Sequence, residues 1–156
     1  MKTKNLKKDS ISIFNKKAKF NYFIEDEYIA GIVLIGSEIK SIRKRDVSIS
    51  ESFCEFNENN ELFISKMYIK EYQNSSYNRS SLSQRKLLLK KKELKKLKKK
   101  ITDVGLTIIP LNLFITDSGL AKIKIALAKG KKLFDKRQSI KEKEIKRDLE
   151  KSKKNN

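Results

Sequence analysis

Histidine and tryptophan are absent from this sequence of 156 residues, which has a single cysteine and a single proline. Histidine is the usual general base and the commonest metal ligand, so its absence argues against most acid–base and metal-dependent catalysis. The lone Cys54 cannot form an internal disulfide or a zinc site. Its position in a strand-like segment predicts a small buried side chain. The sequence therefore predicts a reduced protein without a metal or a cofactor.

Long apolar runs and familiar catalytic motifs are missing as well. No stretch approaches the roughly 18 consecutive apolar residues of a membrane span, and the Lys-rich start is not followed by the apolar core of a signal peptide. There is no Gly-rich phosphate loop and no G-x-S-x-G elbow. Carboxylate pairs such as Glu25 with Glu27 lie among other charges, where solvation is the expected role. We predict a cytoplasmic monomer that neither contacts a membrane nor catalyses a reaction.

The charge balance is strongly positive, with 38 Lys and Arg against 19 Asp and Glu and a net charge of +19. Nucleic acid, an anionic membrane surface and an acidic protein are all candidate partners for such a field, although an AT-rich genome would also enrich lysine. Lys16, Lys17 and Lys19 stand beside aromatic residues, a pattern that favours RNA or DNA because lysines neutralise phosphates. We interpret Phe20 and Phe23 as core residues rather than as stacking platforms for bases.

Hydrophobic patterning predicts several short strands and two helices in the body of the chain. The strand-like segments are 20–35, 53–56, 62–64, 68–72 and 106–116, and a polar hairpin loop covers 57–61. A short helix is expected over 37–45, and residues 74–83 are expected to form an exposed loop. The run 85–101 predicts an amphipathic helix that covers the sheet with Leu87, Leu94 and Leu97. A helix on a membrane surface is the alternative for this run.

Residues 121–128 alternate between apolar and basic side chains. Ile123, Ile125 and Leu127 fall on one face, and Lys122 and Lys124 fall on the other. This pattern predicts a half-buried antiparallel strand with a basic outer surface. Short antiparallel strands in a chain of this size must bury their inner faces and protect their edges, and closure into a small barrel achieves both.

The composition divides the chain into three parts: a flexible basic arm over 1–12, a body over 13–130 and a basic tail over 131–156. The tail is too poor in apolar residues to bury a face of its own. Ser139 and Glu142 form a capping-box pattern, and Ile145 and Leu149 continue a thin apolar stripe. We expect the tail to be disordered in the free protein and to become helical when a partner holds it.

Four segments, in the same order and spacing, resemble the SsrA-binding protein family. They are residues 15–18 leading into 22–25, residues 30–43, residues 85–89, and residues 122–132 followed by 135–137. The sequence departs from the family pattern at Ile29, where glutamate is usual, at residues 80–83 and at Lys90.

The resemblance implies a mainly β fold, a small antiparallel OB-like β-barrel flanked by helices. It also implies that the body binds transfer-messenger RNA and that the complex enters ribosomes stalled without a stop codon. The tail would occupy the empty messenger path as a helix, next to ribosomal RNA of the small subunit. The implied RNA-binding residues are Asn15, Lys16, Lys17, Tyr22, Glu38, Lys40, Arg43, Arg85, Lys86, Leu88, Lys122 and Lys124. The implied ribosome-binding residues are Lys129, Gly130, Lys131, Lys132, Asp135, Lys136 and Arg137.

Two other functions fit the composition. A small basic ribosomal protein would also carry a lysine-rich extension along ribosomal RNA, and its abundance would match that of the ribosomal subunits. An RNA-modifying enzyme is less well supported, because the sequence has no histidine and no nucleotide-binding motif.

Overall fold

The computed structural model describes residues 10–155, so most of the predicted basic arm lies outside the described residues. Four helices occur in this range: α1 (Ala18–Asn21), α2 (Gly36–Arg43), α3 (Lys91–Lys100) and α4 (Leu133–Lys154). The strands are β1 (Ser12–Phe14), β2 (Tyr22–Ile32), β3 (Val47–Ser48), β4 (Phe53–Phe56), β5 (Leu62–Ser65), β6 (Tyr68–Ile69), β7 (Arg85–Leu88), β8 (Leu106–Ile115) and β9 (Ala121–Gly130). No helix among these residues is long and apolar enough to cross a bilayer.

Six of the strands close into a ring of antiparallel neighbours. The pairing runs from β8 through β4, β5, β7, β2 and β9 and then returns to β8. Closure protects the strand edges that a small open sheet would expose. Strand β1 pairs with β8 farther along that strand, and β3 and β6 form a separate two-stranded pair. The predicted mainly β fold, with a small antiparallel barrel and flanking helices, is confirmed.

The core lies inside this ring and is closed by α2 and α3. Ile123, Ile125 and Leu127 of β9 are completely buried, as their alternation with lysines predicts. Leu97 of α3 is buried in the same cluster. Cys54 is buried on β4, which confirms the prediction for it, and burial raises the pKa of its thiol.

The predicted helix over 85–101 is wrong in its first part. Residues Arg85–Leu88 form β7, and α3 begins only at Lys91. The backbone of β7 fills the gap between β5 and β2 and so completes the ring. Leu87 reaches the core from this strand, opposite Ile32. Strand pairing therefore outweighs the helix propensity of a Leu/Lys run.

Aromatic residues near the start of β2 also differ from expectation. Phe20 lies in α1 rather than in a strand, and both Phe20 and Phe23 are exposed. Tyr22 and Ile24 instead pack on a small second cluster, centred on Ala128, on the outer side of the sheet. Because strand side chains alternate, Phe23 points away from that cluster. The interpretation of Phe20 and Phe23 as core residues is wrong.

The tail is helical in this structure, but its helix starts before the predicted capping box. Asp135 accepts a hydrogen bond from the backbone N–H of Lys132 at 3.3 Å, and α4 begins at Leu133. Ser139 lies inside the helix, where its hydroxyl donates to the carbonyl of Asp135. No residue of α4 is buried, in agreement with the expectation that the tail cannot bury a face of its own.

Candidate nucleic-acid interface

Side chains from five strands meet in register on the outer surface of the barrel. Leu88 of β7 lies opposite Gly31 of β2, and Gly31 lies opposite Lys122 of β9. Lys122 in turn lies opposite Phe114 of β8, which is paired with Ser12 of β1. Directly opposed residues share one face of a sheet. These residues therefore form a row across the barrel.

A second row runs beside the first. Ile29 of β2 lies opposite Lys124 of β9, and Lys124 lies opposite Asn112 of β8. Asn112 is paired with Phe14 of β1, and its side chain accepts a hydrogen bond from the hydroxyl of Ser12 at 2.8 Å. We call the two rows together the outer face.

The outer face combines cations with exposed apolar groups. Phe14, Ile29 and Leu88 each leave more than half of their surface in solvent, on either side of Lys122 and Lys124. Lysines can neutralise RNA phosphates, while apolar and aromatic side chains can pack against riboses and unpaired bases. This is the chemistry expected of an RNA-binding surface.

Gly31 lies in the first row, between Leu88 and Lys122. A Cβ atom at this position would lie 3.4 Å from the Cβ atom of Leu88. This distance is a close van der Waals contact, so a Cβ atom would fit against Leu88. Because glycine has no side chain, it leaves the backbone of β2 open to a ligand at this point of the row.

Lys124 already has an anionic neighbour. Its Nζ atom lies 3.3 Å from a carboxylate oxygen of Glu27, and both side chains are partly exposed. An ion pair of this kind contributes little stability, because water and salt screen it. A phosphate can therefore compete with Glu27 for Lys124.

A groove beside the second row brings the start of the chain to the same surface. It is lined by Lys16, Lys19, Glu27 and Lys124, among others. Asn15 holds this segment in place, because its side-chain amide donates to the carbonyl of Pro110 at 2.9 Å. Lys16 and Lys124 are thus brought together although they are far apart in the sequence.

Two of the predicted RNA-binding residues lie inside the fold. The Nε of Arg85 donates to a carboxylate oxygen of Glu38 at 2.6 Å, and both side chains are buried. Arg85 also donates to the backbone carbonyls of Met67 and Ser81. Arg85 and Glu38 are therefore not available to a phosphate in this structure. In this structure they join α2 to β7, and a contact of either residue with RNA stays a prediction.

Other predicted residues lie on different parts of the surface. Lys40 lies over the ring of Tyr72 at 5.5 Å, and Arg43 lies near the turn between β8 and β9. Lys17 pairs with Glu51 in a solvent-exposed contact. Lys86 lies on β7, two residues before Leu88, and pairs with Glu61. Tyr22 packs on the second cluster instead of being open to solvent.

The predicted ribosome-binding residues follow β9 into the tail. Lys131 joins the start of the tail to α1. Its backbone N–H donates to the carbonyl of Asn21 at 2.8 Å, and its Nζ donates to the carbonyl of Lys19 at 3.0 Å. The same ammonium group lies 5.0 Å from the centre of the Phe23 ring. The remaining members are Lys129 and Gly130 at the end of β9, and Lys132, Asp135, Lys136 and Arg137 at the start of α4.

Sequence reasoning missed several members of the outer face. The sequence pattern places Asn112 and Phe114 only in a strand, and it does not mark Phe14 as a binding residue. The alternation of residues 112–114 with the buried Leu113 could have placed Asn112 and Phe114 on the outside. The pairing of β1 with β8 has no comparable local signal, because the partners are about 100 residues apart.

Comparison with known proteins identifies the family. A family model described as SmpB protein matches residues 12–155. The chain belongs to the SmpB protein family. Family members described as SsrA-binding protein include one from Christiangramia forsetii, 57% identical over 92% of this chain and 91% of that protein. Another, from Bacteroides thetaiotaomicron, is 49% identical over 92% of this chain and 96% of that protein.

A solved structure agrees with this assignment. It is described as "tmRNA-SmpB: a journey to the center of the bacterial ribosome", and one of its chains is similar to this chain with a TM-score of 0.67 and 40% identity. The match covers 79% of this chain and 86% of that chain. The predicted resemblance to the SsrA-binding protein family is therefore confirmed.

Proposed function

We propose that this protein binds transfer-messenger RNA (tmRNA, also called SsrA RNA) in trans-translation. It delivers the RNA to stalled ribosomes, which are then rescued while the incomplete polypeptide is tagged. The descriptions of its relatives as SsrA-binding proteins and of the similar solved structure as tmRNA-SmpB support this function. The observation in the molecule that carries the proposal is the outer face, where Lys122 and Lys124 stand among exposed apolar side chains.

Binding at the outer face would depend on RNA shape more than on base identity. Lys16, Lys122 and Lys124 would contact phosphates, which position a nucleic acid without reading its sequence. Leu88, Gly31 and their apolar neighbours would pack against riboses or unpaired bases. The proposed partners, tmRNA and the ribosome, are cytoplasmic. Binding them requires no catalytic group, metal or cofactor from this chain.

The tail would act after the RNA is bound. Residues 133–154 form a helix that buries no side chain, so the body contributes little to its order. Contacts in an empty messenger path could hold this helix, and those contacts would be absent while a messenger fills the path. The residues around Lys131 and Asp135 would lie where the tail meets ribosomal RNA.

The direct test is to purify the protein from its own cells and to sequence the RNA that co-purifies. We expect tmRNA to be enriched, and K122Q/K124Q to reduce the enrichment while the amount of folded protein stays the same. Enrichment of ribosomal RNA in proportion to the subunits, without tmRNA, would instead indicate a structural ribosomal protein.

A salt titration measures the electrostatic part of the interaction. About four to eight phosphate contacts are expected, so the logarithm of the binding constant should fall with the logarithm of salt concentration with a slope of about −3 to −7. A slope near zero would contradict the role assigned to the lysines.

A further inference from the structure

Helix α3 carries a second lysine surface, which the proposed contacts at the outer face do not use. Seven of its ten residues are lysine and one is glutamate. Lys100 pairs with Asp26, but the lysines at 91, 92, 95, 96, 98 and 99 have no carboxylate partner within residues 10–155. We call these six residues the α3 lysines. Like charges three or four residues apart on a helix repel each other, so a polyanion would relieve an unfavourable arrangement.

The α3 lysines are separated from the outer face by the wall of the barrel. Leu97 of α3 is buried in the core with Ile123 and Ile125, the inward residues of β9. Lys122 and Lys124 leave the same strand on its other side, because successive strand side chains alternate. An RNA segment held on the outer face would therefore leave the α3 lysines free.

A groove runs between α3 and the loop that joins β4 to β5, with lysine and asparagine side chains around it and Leu94 in its lining. It is lined by Asn59 and Asn60 from the loop and by Lys91, Leu94, Lys95 and Lys98 from α3.

The loop that forms one wall of this groove has a defined conformation. The side-chain oxygen of Asn57 accepts the backbone N–H groups of Asn59 at 3.0 Å and Glu61 at 2.8 Å. Asn60 adopts a left-handed backbone conformation with φ of 61°, which asparagine tolerates better than most residues. The loop backbone is therefore held in place, and it carries two exposed side-chain amides opposite the lysines.

We propose that the α3 lysines and the β4–β5 loop form a second RNA-binding surface, for the phosphate backbone of a segment distinct from the one at the outer face. The inference rests on the proposed function, since both surfaces take RNA. Lys91, Lys95 and Lys98 span about 10 Å of helix, enough to follow several phosphates. The amides of Asn59 and Asn60 can bond to phosphate oxygens and ribose hydroxyls.

An anionic membrane is the less suitable partner for this surface. Interfacial helices insert apolar side chains below the lipid headgroups. The two apolar residues of α3 are Leu94 and Leu97, and both pack on the core of the barrel. Leu97 is fully buried and Leu94 is partly buried, so the helix has no free apolar face to insert.

The experiment compares K91Q/K95Q/K98Q with two other variants of the full-length protein. K122Q/K124Q alters the outer face, and K44Q/K66Q/K70Q is a matched control that removes three exposed lysines elsewhere. Glutamine replaces lysine because the two have similar helix propensity. Hydroxyl-radical footprinting on tmRNA shows which segments each protein protects, and salt titrations give the slope for each. Circular dichroism confirms that each variant is folded.

We expect K91Q/K95Q/K98Q to lose one protected segment and to reduce the magnitude of the slope by about 2 to 3. K122Q/K124Q should lose a different segment, and the control should keep both. A wild-type footprint and slope for K91Q/K95Q/K98Q would overturn the second surface. It would also be overturned if this variant lost binding to phosphatidylserine vesicles while its RNA footprint stayed unchanged.

Failure of the proposed function would look different, because wild-type protein would then protect no segment of tmRNA. The second surface can still be judged in that case on a random-sequence RNA duplex. The salt dependence of binding to that duplex must have a slope of smaller magnitude for K91Q/K95Q/K98Q than for the K44Q/K66Q/K70Q control. Equal slopes would reject the second surface.

Discussion

The guanidinium of Arg85 and the carboxylate of Glu38 meet inside the protein, with 2.6 Å between Nε of Arg85 and Oε2 of Glu38. The two residues are 47 positions apart in the sequence, on β7 and α2. Glu38 uses its other oxygen to accept the backbone N–H of Ile35 at the start of α2. Burial lowers the pKa of Arg85, and the charge of Glu38 opposes that effect. The pair therefore fixes a helix to the barrel.

Removal of this arginine should destabilise the protein strongly. Arg85→Ala removes the closer of the two cations beside the buried Glu38 carboxylate and leaves only Arg79, at 3.5 Å from its other oxygen. The expected loss of unfolding free energy is therefore about 3 kcal/mol, the lower end of the range for a broken buried ion pair. Urea denaturation measures this loss. The matched control is Lys86→Ala, whose side chain is on the surface and whose loss should have little effect. An Arg85→Ala protein with wild-type stability but weak RNA binding would show that Arg85 contacts RNA after all.

The ion pair between Asp26 and Lys100 should make stability depend on pH. The hydrogen bond from Lys100 lowers the pKa of Asp26 and raises the pKa of Lys100. A lowered carboxyl pKa stabilises the fold above the unfolded value of about 3.9, and this contribution is lost as the pH falls through the folded pKa. The raised lysine pKa contributes below about 10.4 and is lost as the pH rises through the folded pKa.

The check is to compare wild type with Asp26→Asn by chemical denaturation across this range. We expect wild type to be more stable at neutral pH, and the difference to shrink at both extremes. Glu25→Gln removes the same charge from the neighbouring residue and should give a much smaller pH-dependent difference, because Glu25 is the weakest of the influences that raise the pKa of Lys100. If the unfolding free energies of wild type and Asp26→Asn differed by the same amount at every pH, the pH dependence could not come from the ion pair between Asp26 and Lys100.

Lys124 and Glu27 should affect RNA binding in opposite directions. Lys124→Glu should weaken tmRNA binding, because it removes a phosphate contact, while the unfolding free energy changes by no more than about 1 kcal/mol. Glu27→Gln should tighten binding, because it frees Lys124 from its carboxylate neighbour. Filter binding at several salt concentrations measures both effects. Equal affinities for Glu27→Gln and wild type would show that phosphate does not compete for Lys124.

Deletion of the tail should separate RNA binding from tagging. A chain cut after Gly130 loses α4, which buries no residue, so the body should remain folded and should bind tmRNA almost as wild type does. Tagging of stalled products should be abolished. A second truncation after Lys132 keeps the contacts of Lys131 with α1 and serves as the control. Loss of RNA binding in both truncations would place the tail in the RNA clamp, and survival of tagging would reject its proposed role.

The tail should be less ordered than the barrel in the free protein. A helix that buries no side chain gains little to offset the backbone entropy of ordering, about 1–2 kcal/mol per residue. Amide hydrogens of residues 133–154 should therefore exchange rapidly, while those of β8 and β9 are protected. Protection of the tail should rise in the stalled-ribosome complex. Slow exchange of the tail in the free protein would contradict this expectation.

Local patterns were sufficient for the parts of the fold in which burial repeats along one segment. The alternation over 121–128 correctly placed Lys122 and Lys124 outside and Ile123 inside, because a strand with one buried face has a period of two. The polar run 57–61 was correctly assigned to a hairpin loop, since asparagine supports tight turns. These features depend on neighbours in the sequence, and no distant partner is needed to predict them.

Patterns that suit two structures were resolved only by distant partners. The Leu/Lys run from Arg85 onward is compatible with a helix, yet its first four residues pair with β5 and β2 and become β7. Arginine is a residue type that commonly binds phosphate, but Glu38 and the carbonyl of Met67 hold Arg85 inside the fold. Neither partner can be inferred from the residues that flank Arg85.

By itself, the sequence determined the mainly β class, the basic outer side of β9, a tail that buries no residue and the family, because local composition and segment order carry all of these. Only the tertiary structure decided which of the basic residues share a surface. Leu88, Gly31 and Lys122 become neighbours through the register of three strands, and α3 is directed to the other side of the barrel by the burial of Leu97. Register and packing are set by contacts between segments that are distant in the sequence. Such contacts produce no periodic pattern within either segment.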